Sequence, residues 1–201
     1  MKDQINSYLD NLKNTIDQLD QNSLAEVVDA FLEVYNKGGN IYIFGNGGSA
    51  ATASHIAGDF IKGASYGLEK RFKMICLNDN PASMMAIAND IGYEDIFIEP
   101  LKNHISSKDL VIGISGSGNS ENVVRAMNYA KSKNVKTISF CGYSGGKIKD
   151  IADISVHATV EDMEITEDIH LIAFHNIKQV IIRKLKGDNT SAGAVYDSRI
   201  K

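Results

Sequence analysis

The 201-residue sequence predicts an α/β fold, a three-layer sandwich in which a five-stranded parallel sheet follows two N-terminal helices. Short apolar runs of strand length alternate with stretches of helical periodicity, which is typical of a parallel sheet. The runs are almost continuously apolar, as expected for strands that helices cover on both faces. Residues 1–37 show helical periodicity alone. Because the length fits one domain, we treat residues 1–201 as a single unit.

Residues 1–37 are predicted to form a pair of amphipathic helices. Apolar side chains recur there at intervals of three and four residues, which places them on one face of each helix. Asn22 or Ser23 is a suitable N-cap for the second helix, and Gly38 and Gly39 allow a positive φ at its end. The apolar stripe of the first helix could pack against a neighbouring subunit. Apolar stripes on the second helix and on the last predicted helix would suit the same packing, the latter at Ile169, Ile172, Ala173, Ile177 and Val180.

Five apolar runs predict the strands, and the segments between and after them predict helices. The strand runs span residues 40–44, 72–77, 110–114, 137–141 and 154–157. The helical stretches span residues 49–63, 82–91, 95–105, 120–133 and about 161–185. Residues 187–201 are small and polar, which predicts a mobile tail.

The composition is that of a globular protein, with 43% hydrophobic and 23% charged residues and a formal net charge of −4. This charge does not favour nucleic acid as a partner. No stretch approaches the roughly 20 apolar residues of a membrane span, and the N-terminus has no apolar signal sequence. Cys76 and Cys141 lie in apolar runs, which indicates buried thiols in a reducing compartment. We therefore expect a cytoplasmic protein.

Two of the predicted strands end in loops rich in glycine and serine, and each loop leads into a helix. The loops read Gly45-Asn46-Gly47-Gly48-Ser49 and Ser115-Gly116-Ser117-Gly118-Asn119-Ser120. Glycine lets a backbone approach an anion closely, and a helix N-terminus offers unpaired N–H groups. Serine hydroxyls add donors without bulk. Since neither loop contains lysine or arginine, backbone and hydroxyl donors would hold a phosphate there.

The first loop also matches the G-x-G-x-x-A pattern of dinucleotide-binding folds, which alone is a weak signal. That pattern expects an acidic residue about 20 positions further on, whereas the second strand ends about 30 positions on, near Asp79. No G-x-x-x-x-G-K-[ST] run is present, which argues against a P-loop nucleotidase. A tight turn without a ligand would explain either loop alone. Two such loops on one sheet edge favour a phosphate site.

His55 and Asp59 follow the first loop on a predicted helix. They are four residues apart and therefore share one face. This spacing suits two ligands of one metal ion, although a histidine satisfied by a neighbouring carboxylate would give the same pattern. The position just beyond a phosphate loop favours the functional interpretation.

Together the loops resemble those of the sugar isomerase (SIS) domain family, and the order of elements resembles its phosphoheptose isomerase branch. The likeness covers nearly the whole chain, including the paired N-terminal helices, residues 88–93, residues 142–146 and the final helix with its histidines. It implies a flavodoxin-like sheet and a homotetramer with sites between subunits. It also implies a divalent metal, usually zinc.

The resemblance assigns further residues to the site. Glu167 and His175 on the last helix match the family's Gln and His, which complete its metal site or proton relay. The implied ligands are His55, Asp59, Glu167 and His175, and Asn89 and Asp90 are implied contacts of the sugar hydroxyls. Eight residues rise about 12 Å along a helix. Glu167 and His175 could therefore bind one ion only if their side chains lean towards each other or if they come from different subunits. Asp168, seven residues before His175, is a reserve candidate. His170, three residues after Glu167, is interpreted as a surface group, with a proton relay as the alternative.

Three departures from the family pattern stand out: Asp59 replaces a usual Glu, Glu167 a Gln, and Gly116 a common Thr. The implied reaction interconverts sedoheptulose 7-phosphate and a mannoheptose 7-phosphate through an enediol. Asp59 or Glu167 would be the base and His175 the conjugate acid. Two alternatives remain: an SIS protein that binds a phosphosugar or a protein partner without catalysis, and an isomerase of another ketose phosphate.

Overall fold

A computed structural model describes residues 1–187, and the predicted tail beyond Gly187 lies outside the described residues. Five parallel strands form one sheet in the order β2-β1-β3-β4-β5, which is the flavodoxin-like order. The strands are β1 (Ile41–Gly45), β2 (Met74–Cys76), β3 (Leu110–Ser115), β4 (Lys136–Cys141) and β5 (Ile154–His157). The predicted number and direction of strands are confirmed, and their ends shift by at most two residues.

Eight α-helices lie within the described residues. They are α1 (Lys2–Asp17), α2 (Gln21–Lys37), α3 (Gly48–Gly58), α4 (Pro81–Asp90), α5 (Ile98–His104), α6 (Glu121–Ser132), α7 (Gly146–Ile151) and α8 (Met163–Lys186). A π-helix, Asp59–Ala64, continues α3, and a 3₁₀ turn, Tyr93–Asp95, precedes α5. The side chain of Asp20 caps α2, so the expectation of Asn22 or Ser23 as N-cap was wrong. Gly38 ends this helix with φ 67°, as expected.

The sheet separates two apolar cores because alternate strand residues face opposite sides. Ile43 and Ile112 face the core beneath α2, α3 and α8. Tyr42 and Val111 face the core beneath α5 and α6. Both cysteines are buried free thiols, as predicted. The helices on both faces confirm the three-layer α/β class, and no helix among residues 1–187 combines the length and apolarity needed to cross a membrane.

Not all of the predicted surface stripes are on the surface. Ile169, Ala173 and Ile177 of α8 have no exposed area, so the expectation that they form a subunit-packing face was wrong. They instead cover the sheet within this chain. On α1, Ile5 and Leu9 remain 55% and 45% exposed. Exposed apolar side chains therefore remain on α1, and others lie elsewhere at Met85, Ile91 and Tyr93.

His170 is 1% exposed, so its interpretation as a surface group was wrong. The ring lies edge-on against Phe140, and neither ring nitrogen has a partner in good hydrogen-bond geometry among the described residues, although the backbone of Cys141 is near the ring. Burial disfavours the charged imidazolium and lowers the pKa of His170 to about 4.

This depressed pKa predicts that the protein loses stability as the pH falls from 6.5 to 4. In that range the unfolded chain protonates position 170 and the folded chain does not, so the free energy of unfolding falls by roughly 3 kcal/mol. Urea unfolding at pH 7 and pH 4.5 measures the difference. The His170→Gln variant should show a clearly smaller pH dependence, and an identical dependence in both proteins would contradict the assignment.

Candidate phosphosugar site

The two serine and glycine loops lie side by side at the carboxyl edge of the sheet. β1 and β3 are neighbours, with β2 on one side and β4 on the other, so the direction of winding changes between them. In open parallel sheets this switch point is where ligands bind. The loop after β1 enters α3 at Gly48, and the loop after β3 enters α6 at Glu121. Both helix N-termini therefore begin at one cleft.

The cleft is a cavity of about 290 Å³, which we call the serine/glycine pocket. Its lining residues are Asn46, Gly47, Gly48, Ser49, Ser115, Gly116, Ser117, Ser120, Met163 and Glu167. Eight of these residues belong to the two loops predicted to bind phosphate, so the structure brings the two loops together at one cavity. The lining contains no lysine or arginine, so an anion here would depend on N–H and hydroxyl donors. Phosphate binding itself stays a prediction.

Asparagines that the sequence analysis did not single out hold the first loop in place. The side-chain amides of Asn46 and Asn122 form a reciprocal pair with both N···O distances 2.9 Å, which ties the first loop to α6. The Tyr93 hydroxyl also donates to Asn46 at 3.1 Å. Asn78 accepts from the N–H of Gly45 and donates to its carbonyl. No motif marks Asn78 or Asn122, because their role comes from contacts between distant segments.

Three contacts join α3 and its π-helical extension to α8. They follow one another in the same order along both segments, so the two helices run side by side in the same direction. The carboxylate of Glu167 lies against Gly48, where a Cβ atom would overlap it. The Nε2 atoms of His55 and His175 are 3.0 Å apart. Asp59, at the start of the π-helix, pairs with Lys178 at 2.6 Å. Seven residues separate Gly48 from His55, so the histidines lie about 10 Å along α3 from the serine/glycine pocket.

His55, Asp59 and His175 form a group that we call the histidine–aspartate cluster. The Oδ2 atom of Asp59 is 3.8 Å from Nε2 of His55 and 3.6 Å from Nε2 of His175. Ligand atoms of a tetrahedral zinc ion are about 3.3 Å apart, given bonds of about 2.0 to 2.1 Å. The three donor atoms therefore fit a divalent metal. Burial lowers the pKa of His175, which favours the neutral imidazole that binds metals.

Glu167, also predicted as a metal ligand, is not in this cluster. It lines the serine/glycine pocket two helical turns from His175. Burial, with a smaller effect from Glu164 and Asp168, raises the pKa of its carboxyl. In the described chain, then, three of the four predicted ligands come together and the fourth lies at the phosphate end.

The remaining candidates lie elsewhere. The reserve candidate Asp168 accepts a hydrogen bond of 2.6 Å from the Tyr8 hydroxyl and so ties α8 to α1. Asn89 and Asp90, predicted to contact sugar hydroxyls, are exposed at the end of α4 and bond to each other. Neither of them lines the serine/glycine pocket. Their contact with a sugar stays a prediction.

Comparison with known proteins decides the family. The family model described as the SIS domain matches residues 6–142, which hold both loops and the His55–Asp59 pair. The chain belongs to the SIS domain family. The resemblance inferred from the two loops is thereby confirmed.

Other SIS proteins extend the likeness beyond this match to α8. The phosphoheptose isomerase of Helicobacter pylori (strain P12) is 35% identical over 179 residues, which cover 89% of this chain and 92% of that protein. The phosphoheptose isomerase of Thermodesulfovibrio yellowstonii is 37% identical over 165 residues, covering 79% and 78%. The solved phosphoheptose isomerase of Neisseria gonorrhoeae superposes with a TM-score of 0.82 at 22% identity, covering 90% of this chain and 97% of that one. This superposition shows the shared fold.

Proposed function

We propose that this protein is an aldose–ketose isomerase of heptose phosphates that interconverts sedoheptulose 7-phosphate and a mannoheptose 7-phosphate. The observation that carries the proposal is the placement of two sites along one pair of helices. The serine/glycine pocket lies at one end of α3 and α8, and the histidine–aspartate cluster lies about 10 Å further on. An extended seven-carbon sugar phosphate spans about this distance, since each carbon–carbon bond advances the chain by a little over an ångström. Named relatives at 35% and 37% identity support the same reaction.

The two sites suit the two ends of such a substrate. Hydroxyls of Ser49, Ser115 and Ser117, with the N–H groups at the starts of α3 and α6, would hold the phosphate. Ser115 and Ser120 already share a hydrogen bond of 3.2 Å, so their hydroxyls are oriented before a ligand arrives. With the phosphate fixed there, the carbonyl end reaches the histidine–aspartate cluster.

Isomerisation requires a base and an acid at that end. Asp59 removes a proton from C1 of the open-chain ketose while His175 delivers one to the carbonyl oxygen, which gives the enediol. Return of a proton to C2 and loss of the proton from O1 complete the aldose. Glu167 lies at the phosphate end, so this geometry favours Asp59 as the base. A divalent metal, zinc in our proposal, would polarise the carbonyl oxygen when held by His55, Asp59 and His175. With the Nε2 atom of His175 engaged in this way, the Nδ1–H of its ring would supply the proton for the carbonyl oxygen.

A substrate panel tests the reaction and its specificity. Purified protein supplied with Zn²⁺ is incubated with sedoheptulose 7-phosphate, fructose 6-phosphate and ribulose 5-phosphate, and the aldose products are separated and identified. We expect conversion of the seven-carbon ketose with the highest kcat/KM. Conversion of another ketose phosphate alone would identify a different isomerase. Tight phosphosugar binding without any conversion would favour a binding protein of the same fold.

Removal of the metal should abolish this conversion. Without a cation, polarisation of the carbonyl oxygen is lost, and we expect kcat to fall at least about 10²-fold. Treatment with a chelator followed by addition of Zn²⁺, Mn²⁺ or Co²⁺ measures loss and recovery, and direct metal analysis gives the stoichiometry. Full activity in protein shown to be metal-free would contradict the assignment of a metal.

We further propose that the protein is a cytoplasmic homotetramer with active sites between subunits. The exposed apolar side chains of Ile5, Leu9 and Ile16 on α1 support burial against another subunit. Two buried free thiols are in keeping with a reducing compartment. Light scattering at micromolar concentration gives the mass, and a monomer would contradict the shared-site arrangement.

A further inference from the structure

Lys178 lies directly behind the histidine–aspartate cluster and belongs to no motif. Its side chain is only 14% exposed, and its Nζ atom is 2.6 Å from Oδ2 of Asp59. The residue beneath it is Gly63, in the π-helix, where a Cβ atom would lie 3.1 Å from Nζ. The absence of a side chain at Gly63 and the wider π turn leave room for the ammonium group.

The carboxylate oxygen that Lys178 holds is the one that faces the histidines. Oδ2 of Asp59 lies 3.6 and 3.8 Å from Nε2 of His175 and His55, and it is the oxygen that fits a metal bound by both rings. A cation bound about 2.0 to 2.2 Å from this oxygen would lie at most about 4.8 Å from Nζ, which is 2.6 Å from the same oxygen. Two positive charges would then share one carboxylate.

This arrangement opposes metal binding in two ways. The ammonium of Lys178 is already paired with Asp59, so the cluster offers an incoming cation two imidazoles and a carboxylate whose charge is compensated. The partly buried position also limits screening of the repulsion by water and salt. We therefore expect the cation to bind reversibly, because its binding weakens the ion pair between Lys178 and Asp59.

We propose that Lys178 sets the divalent-cation affinity of the histidine–aspartate cluster by holding the carboxylate oxygen that the cation would share. This inference rests on the metal site of the proposed function but not on the reaction. Lys178 acts through Asp59 and is therefore a positioning residue. It keeps the metal exchangeable and keeps the carboxylate aimed at the two histidines.

Titration with Co²⁺ alone, without sugar, tests the proposal. Absorption of the bound ion in the visible range reports the binding, and the wild-type protein is compared with Lys178→Met, Lys178→Gln, Lys178→Arg and Lys184→Met. Methionine and glutamine remove the charge, arginine keeps it, and Lys184 is an exposed lysine on the same helix. Thermal unfolding of each protein confirms that it is folded.

We expect Lys178→Met and Lys178→Gln to bind Co²⁺ at least tenfold more tightly than the wild type, with Lys178→Arg and Lys184→Met close to it. Equal or weaker binding by the folded neutral variants would overturn the proposal, and so would the absence of Co²⁺ binding in every protein. The substrate panel is measured separately on the wild type. If the wild type is an active isomerase but the Lys178 variants bind Co²⁺ with unchanged affinity, this inference is refuted and the proposed function is not.

Discussion

Replacing His175 by glutamine is expected to reduce kcat by about 10² to 10⁴-fold, the usual contribution of a general acid or base. Glutamine keeps much of the side-chain volume but cannot give up a proton to the carbonyl oxygen. It also removes one of the three nitrogen and oxygen donors of the histidine–aspartate cluster. The serine/glycine pocket lies about 10 Å away, so the affinity for the phosphosugar should stay within a few-fold. Initial rates and calorimetric binding of the substrate measure the two quantities.

His104→Gln is the matched control for this variant. His104 is an exposed histidine at the end of α5, on the other face of the sheet from α8, and it makes no contact with the cluster. Its replacement should leave kcat and KM unchanged. Normal turnover by His175→Gln would show that His175 has no role in the mechanism. An equal loss of kcat and of phosphosugar affinity would show that the serine/glycine pocket and the histidine–aspartate cluster do not act independently.

Gly118→Ala is expected to disrupt the phosphate loop and to destabilise the whole protein by about 3 to 5 kcal/mol. Gly118 has φ 67°, and a Cβ atom built there would overlap the backbone carbonyl of Gly145. Backbone cannot move aside as a flexible side chain can. The N–H of Ile148 bonds to the carbonyl of Gly118, so a shift of the loop would also disturb α7. Urea unfolding and phosphosugar binding measure the loss.

Gly47→Ala provides the comparison because Gly47 also has a positive φ but is not crowded by neighbouring atoms. Gly47 has φ 55°, but a Cβ atom there would meet no atom within 4 Å. We expect a cost of only about 1 to 3 kcal/mol from the rarely populated backbone conformation, with a folded protein that still binds the phosphosugar. Equal destabilisation by both variants would show that backbone strain, and not contact with Gly145, dominates at position 118.

The sheet and its loops were predictable because each depends on local sequence. Buried parallel strands require continuous apolar runs. The glycine and serine residues that follow β1 and β3 predict turns at the ends of these strands. The six residues of α7 are too few to show helical periodicity, so that helix was missed. The N-cap of α2 was misplaced because Asp20, Asn22 and Ser23 are all suitable caps, and only the structure shows which side chain accepts a hydrogen bond.

The site was predictable where spacing along one helix determines it, as for His55 and Asp59. Contacts between distant segments were not predictable. Lys178 reaches Asp59 only because α3 and α8 are parallel, and Asn122 pairs with Asn46 across 76 positions. The burial of His170 was missed for a related reason. Its polar ring gives no apolar signal, although its neighbours on α8, Ile169 and Ala173, lie in the core.

Deuterium exchange tests the central claim, a proton shift in a heptose phosphate, most directly. The protein, supplied with Zn²⁺, is incubated with sedoheptulose 7-phosphate in D₂O, and NMR follows the hydrogens at C1 of the ketose and C2 of the product. Because the Asp59 side chain is partly exposed to water, we expect deuterium at both carbons, and much less of it with His175→Gln. A bound heptose phosphate that acquires no deuterium at either carbon would contradict the account.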